Sequence, residues 1–157
     1  MRIIGGRLRG LGLASVGKGD VAAHLRPTSD RVRESIFNLL QNGGYGDPVD
    51  GARVLDLFAG TGALGLEALS RGAEACVFVD SGRASGRLLA ENIERARVSD
   101  SVRVIARDAQ RLGVASEAPA TLVFLDPPYG KGLGARALAA VAKGGWLEKG
   151  ALVVWEE

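Results

Sequence analysis

The sequence predicts an α/β fold in which a doubly wound, mainly parallel sheet is covered by helices on both faces. Three observations carry that expectation. Beyond residue 51, short apolar runs of strand length alternate with longer stretches of helical period. The runs are almost continuously apolar, as strands buried on both faces are. Glycine and acidic residues follow the runs, where a sheet of this kind presents its ligands.

The elements are expected in this order. Residues 1–26 are rich in Gly and Arg, with short apolar pairs such as Ile3-Ile4 and Leu11 with Leu13, and read as a basic arm or loose hairpin. The main domain is expected over 27–157. Pro27-Thr28-Ser29-Asp30 opens the first helix: Thr28 or Ser29 can cap it, and Asp30 suits its positive end. Val32, Ile36, Leu39 and Leu40 form its expected apolar stripe, with Arg31, Arg33 and Asn38 off that stripe, and Asn42-Gly43-Gly44 ends it. Strands are predicted at Val54–Phe58, Cys76–Val79, Val102–Ile105, Leu122–Leu125 and Leu152–Trp155. The helices between them are expected over 63–71, stopped by Gly72; over 83–97, with Leu88, Leu89 and Ile93; and over 133–143, with Leu133, Leu138 and Val141.

Composition narrows the class. A chain of 157 residues with 46% apolar and 24% charged residues has the size and make-up of one soluble domain. The lone Cys76 sits in an apolar run and is expected to be a buried thiol; it allows no internal disulfide, which fits a reducing cytoplasm. No apolar stretch approaches the ~20 residues that cross a bilayer, and the start does not read as a signal peptide. His24 is the only histidine, so no Cys/His metal site is expected. Charge is uneven. Arg2, Arg7, Arg9, Lys18, Arg26, Arg31 and Arg33 against Asp20 and Asp30 give the first 33 residues +5, leaving −3 for the rest of a chain of net +2. A basic end on a mildly acidic body points to a polyanion gripped from one side.

Four strand ends carry candidate chemistry. Gly60, Gly62 and Gly65 fit G-x-G-x-x-G between a strand and a helix, which permits a tight turn and close approach of an adenosine ligand: NAD, FAD or another. Asp80 ends the second strand, placed either to accept from ribose hydroxyls or to cap the next helix. Asp108, followed by Ala109, ends the third and could accept from an adenine amino group or cap a turn. Asp126-Pro127-Pro128-Tyr129 ends the fourth. The prolines stiffen the loop and offer no N–H, so it presents carbonyls and a carboxylate beside an aromatic plate. That combination suits a planar base bearing an amino group.

The pairing of Asp56–Gly62 with Asp126-Pro127-Pro128-Tyr129 resembles the signatures of amino-group methyltransferases. Arg2-Ile3-Ile4-Gly5-Gly6, the stretch Arg26–Asn38 and the stretch Asp56–Ala68 resemble, more narrowly, the bacterial 16S ribosomal RNA guanine-N2 methyltransferase family, from residue 2 to 157. The resemblance implies a Rossmann-like class I methyltransferase that uses S-adenosylmethionine and no metal. The Asp56–Gly62 turn, with Phe58, Gly60 and Thr61, would hold the methionine part of the cofactor, Asp80 its ribose, and Asp108 with Ala109 its adenine. Asp126, Pro127 and Tyr129 would serve the guanine, and Arg2, Arg7, Arg9, Arg26, Arg31 and Arg33 the RNA backbone. Two departures stand out. The family more often has Glu where this chain has Asp80, one methylene shorter. Its fold usually adds a sixth and a seventh strand, so the chain reads as truncated after the fifth, leaving that strand as an exposed edge.

The implied partner is small-subunit ribosomal RNA or an assembling ribosomal particle, with no membrane and a monomeric enzyme favoured. The rival readings are an adenine-N6 methyltransferase acting on RNA or DNA, a nicotinamide-dependent oxidoreductase, and a non-catalytic RNA-binding module.

Overall fold

The computed structural model describes residues 1–15 and 28–156. Helix α1 (Asp30–Asn42) leads into alternating strands and helices: β1 (Arg53–Leu57), α2 (Ala63–Ser70), β2 (Ala75–Val79), α3 (Arg83–Ala96), β3 (Val102–Ile105), β4 (Ala120–Leu125), α4 (Leu133–Lys143) and β5 (Leu147–Trp155). The strands form one sheet of order β3-β2-β1-β4-β5, and every pairing is parallel. The doubly wound expectation holds, with β3 and β5 as the edge strands among the described residues.

Each central strand feeds two cores because successive side chains point to opposite faces. Val54, Leu122 and Phe124 join Phe37 of α1, Leu66 and Leu69 of α2 and Leu89 of α3 on one face. Leu55, Leu57, Val123 and Leu125 join Ala137 and Val141 of α4 and Trp146 on the other. The carboxyl ends of β1 and β4 lie side by side, Leu57 in register with Leu125. The sheet order reverses between them, which makes that edge the topological switch point where ligands bind in such folds.

Residues 1–15 form a hairpin bound to the body. Arg2 and Gly12 make an antiparallel bridge, and Ile3 (0% exposed) and Leu13 (6%) enter the first core. Ser70 of α2 fixes the hairpin's turn: its Oγ donates to Gly5 O at 2.6 Å and accepts from Leu8 N at 2.9 Å, and its carbonyl accepts from Arg7 N at 2.9 Å.

The first helix differs from its expected phase. Its buried residues are Arg33, Phe37 and Leu40, while Val32 is 41% and Leu39 57% exposed. Two partners turn the helix. Phe37 packs against Phe124 with ring centroids 5.6 Å apart, and Arg33 reaches the buried carboxylate of Glu67 on α2. Arg33 is therefore a correction to the expected RNA-contacting set. Its side chain is fully buried; Nε donates to Glu67 Oε1 at 3.2 Å, Nη1 to Thr28 O at 3.2 Å, and Nη2 to Asp30 Oδ1 at 2.9 Å and to Arg2 O.

Glu67, also fully buried, accepts from Ile4 N (2.9 Å), Gly5 N (2.9 Å) and Arg71 Nε (2.8 Å) besides Arg33. One carboxylate thus ties hairpin, α1 and α2 together. Removing one member of a buried ion pair leaves its partner's charge uncompensated, at a cost of roughly 3–5 kcal/mol. Arg33→Met is expected to lose about that much stability in urea denaturation. A loss no larger than that of a surface Arg→Met control would show that water solvates the pair.

Candidate active site

The four strand ends share one edge. Register pairs Leu57 with both Val79 and Leu125, and Val79 with Ile105, so the residues that follow emerge together. The turn after β1 is tight. Phe58 has φ 58°, a left-handed conformation that costs a residue with Cβ roughly 1–2 kcal/mol. Ala59 N donates to Val79 O at 3.0 Å and Gly62 N to Ala59 O at 2.9 Å, which closes the crook onto the end of β2. Gly62 has φ 84°, and a Cβ there would stand 2.4 Å from Leu89 Cδ1. A Cβ on Gly65 would stand 2.4 Å from the Phe78 ring, so this glycine lets α2 lie close on the sheet.

Carboxylates converge on the crook. Asp56 is 1% exposed and its Oδ2 accepts from Gly65 N at 3.0 Å. Burial pushes its pKa well above the ordinary carboxylate value; the Gly65 bond opposes this, and the charges of Asp126 and Asp80 add to it. Asp80 Oδ2 accepts from Gly60 N at 2.9 Å and Oδ1 from Gly82 N at 2.8 Å, so the carboxylate braces the crook and the entry to α3. A carboxylate has about four lone-pair sites, and these two bonds leave acceptor capacity. Asp108 is the cap of a short 3-10 helix (Ala109–Arg111), accepting from Gln110 N at 2.9 Å, and Ala109 is buried beneath it.

The loop after β4 lies next to the crook. Pro127 is buried, Asp126 is half-buried and Tyr129 is 49% exposed. Thr28, a candidate cap for α1, takes another role: Ser29 accepts from Val32 N at 3.2 Å as the cap, and Thr28 Oγ1 donates to Asp126 Oδ2 at 3.3 Å. Asn92 of α3 was also unforeseen. Fully buried, its Nδ2 donates to Thr61 O and Ala14 O at 3.0 Å each, and its Oδ1 accepts from Ala14 N at 2.7 Å. It joins the glycine crook to the hairpin. A polar residue beside Leu89 and Ile93, on the buried side of α3, was the available signal.

Among the expected RNA-contacting arginines, Arg2, Arg7, Arg9 and Arg31 are exposed, and Arg26 lies outside the described residues. A groove of about 600 Å³ runs between hairpin and α1 past Arg2, Arg9 and Arg31, with Asp30 and Glu34 in its wall. A second of about 480 Å³ continues along α1 from Arg31 to Asn42. Neither is lined by the strand-end residues.

A parallel sheet with a glycine crook and an Asp-Pro-Pro-Tyr loop at adjoining ends of its switch point defines a Rossmann-like protein of the class I methyltransferase type. The model of the family described as "Conserved hypothetical protein 95" matches residues 1–157. The chain belongs to that family, the bacterial 16S ribosomal RNA methyltransferases that its motifs resemble. It is 37% identical over 156 residues to "Ribosomal RNA small subunit methyltransferase D" of Escherichia coli (strain K12), covering 99% of this chain and 74% of that one. It is 41% identical over 132 residues to the YlbH protein of Bacillus subtilis (strain 168), covering 82% and 67%. The solved structure of the Escherichia coli protein yhhF superposes with a TM-score of 0.76 at 38% identity, covering 94% of this chain and 75% of that chain. At 16% identity, a precorrin-6y C5,15-methyltransferase from Geobacter metallireducens GS-15 shares the fold, with a TM-score of 0.67 and coverage of 90% and 65%.

The raised Asp56 pKa has a signed consequence. The folded chain keeps a proton that the unfolded chain has released, so this group's contribution is fully present below the ordinary carboxylate range. It is lost as pH rises towards the folded value. Asp56→Asn keeps an acceptor for Gly65 N and removes the titration. Thermal melts of the ligand-free protein from pH 4 to 8 are expected to show the variant gaining on the wild type as pH rises. Parallel curves would contradict the assignment.

Proposed function

We propose that the protein transfers a methyl group from S-adenosylmethionine to the exocyclic 2-amino nitrogen of a guanine in small-subunit (16S) ribosomal RNA. The observation that carries this reading is the seating of Asp126-Pro127-Pro128-Tyr129 beside the glycine crook at the switch point.

The residues fit that cofactor electrostatically. Burial and the charges of Asp126 and Asp80 raise the pKa of Asp56. A ligand carrying a sulfonium and an ammonium relieves this accumulation of negative charge. The pyrophosphate of a nicotinamide dinucleotide would add to it, which disfavours the oxidoreductase reading. The Asp56–Gly62 turn, with Phe58, Gly60 and Thr61, would hold the methionine part. Asp80 would take the ribose with its remaining acceptor capacity, and Asp108 with Ala109 the adenine. Bound there, the cofactor supplies an electrophilic methyl carbon.

The chain's own groups do the rest. The 2-amino group of guanine is a weak nucleophile because its lone pair is delocalised into the ring. Asp126 and the Pro127 carbonyl would each accept one of its N–H bonds, favouring a pyramidal nitrogen with the lone pair directed at the crook. Asp126 would also balance the positive charge that develops on nitrogen, an electrostatic role, and the nitrogen would lose a proton to solvent once the methyl has moved. Tyr129, half exposed, would stack on the base and fix its plane. An amino group paired inside a helix is out of reach, so the base must be unpaired or flipped out.

Arg2, Arg7, Arg9 and Arg31, with Arg26, would hold the RNA backbone along the hairpin and α1. The names of the Escherichia coli and Haemophilus influenzae relatives, both "Ribosomal RNA small subunit methyltransferase D", support ribosomal RNA as substrate, free or in an assembling particle. A monomer acting in the cytoplasm is part of this reading, since every group that it invokes can come from one chain.

Radiolabelled methyl transfer to undermethylated small-subunit particles, followed by nucleoside mass spectrometry, tests the proposal. N2-methylguanosine is the expected product, and Asp126→Ala is expected to lower kcat about 100-fold or more, as loss of a transition-state contact does. N6-methyladenosine would transfer the reading to the adenine rival. No transfer to particles or naked RNA would leave a binding module.

A further inference from the structure

We propose that Thr28 is a positioning residue for Asp126, holding the orientation of the carboxylate that receives the substrate amine. The inference rests on the methyl-transfer reading above and adds a residue to it.

The hydroxyl of Thr28 donates to Asp126 Oδ2 across 98 positions of sequence. An Asp side chain has a broad, two-fold torsion at its carboxylate, so a donor on one oxygen selects which way the other faces. Thr28 is well suited to make that selection. Its β-branched side chain is stiff at χ1. Its carbonyl accepts from Nη1 of the buried Arg33 at 3.2 Å, and its neighbour Ser29 is locked as the cap of α1. Arg33 is in turn held by Glu67 at 3.2 Å, with both side chains fully buried. The hydroxyl is thus at the end of a rigid line of contacts, Glu67 to Arg33 to Thr28, that starts in the core and finishes on the catalytic loop.

The 3.3 Å separation is long for O–H···O but remains within hydrogen-bond reach. The helix cap at Ser29 does not need this hydroxyl, and nor does either hydrophobic core. Its one contact among those described points at Asp126. The line also gives the groove a link to the chemistry, since Asp30 and Arg31, two and three residues further on, line its wall.

The test uses the full chain with Thr28→Val, which keeps the shape and removes the donor, and Thr28→Ser, which restores it. A hydrogen bond to a charged group is worth about 10- to 100-fold in rate when it is lost from the reacting arrangement. Thr28→Val is expected to lower kcat by that factor, with KM for RNA, cofactor affinity and melting temperature unchanged. Thr28→Ser is expected to recover most of the rate. A wild-type kcat in Thr28→Val, or a loss confined to KM, would overturn the proposal. Crystal structures of wild type and Thr28→Val separate its failure from failure of the functional reading. Even in a chain that transfers no methyl, the Asp126 carboxylate is expected to rotate when the donor is lost. An unchanged orientation would overturn the positioning role, whatever the activity.

Discussion

The fully buried carboxylate of Glu67, bonded by two backbone N–H groups and two guanidinium groups, is the constraint on which the arrangement of this molecule depends. A charge taken out of water is tolerated only when nearly every lone pair finds a donor. The four donors come from the hairpin, α1 and the end of α2, so satisfying Glu67 specifies how all three meet. Apolar packing alone would hold them less specifically, because contacts such as Phe37 against Phe124 are non-directional. The hydrogen bonds of the ion network are directional. Arg71 reinforces it from the other side, its guanidinium 5.0 Å from the centre of the Phe37 ring and bonded to Gln41 at 2.9 Å.

What this anchoring serves is visible at the opposite end of the same residues. The switch-point edge gathers Asp56, Asp80 and Asp126, the first two of which also accept backbone N–H groups of the adjoining turns. The crook that passes between them holds Phe58 left-handed and braces Gly60 on Asp80. Strain and like charge in one place are the usual marks of a site preorganised for a ligand. The hairpin and α1 reach that edge twice, through Asn92 to the carbonyl of Thr61 and through Thr28 to Asp126. The basic end of the chain is thereby built into the site.

The parts legible in the sequence were those governed by local pattern. All five strands and the three helices of the alternating region fall within a few residues of their apolar runs, because burial on both faces leaves a continuous signal. The onset of β5 escaped: Leu147-Glu148-Lys149-Gly150 is polar, and as an edge segment with a register shift against β4 it need not be otherwise. The phase of α1 escaped for a different reason. Periodicity counts Arg33 as an outward residue, and only Glu67, 34 positions later, turns it inward. The role of Thr28 and the partner of Asn92 were out of reach on the same ground, since Asp126 and Ala14 lie 98 and 78 positions away. The strand-end motifs announced themselves because glycine and proline runs constrain their own backbone. Long-range polar pairs leave no such mark.

A crystal structure of the protein with S-adenosylhomocysteine tests the central claim most directly. The account predicts the ligand's sulfur in the space between the Asp56–Gly62 turn and Asp126, with its ribose on Asp80. A ligand seated instead in the groove of Arg2, Arg9 and Arg31, or one that leaves the crook and the Asp-Pro-Pro-Tyr loop untouched, would contradict it.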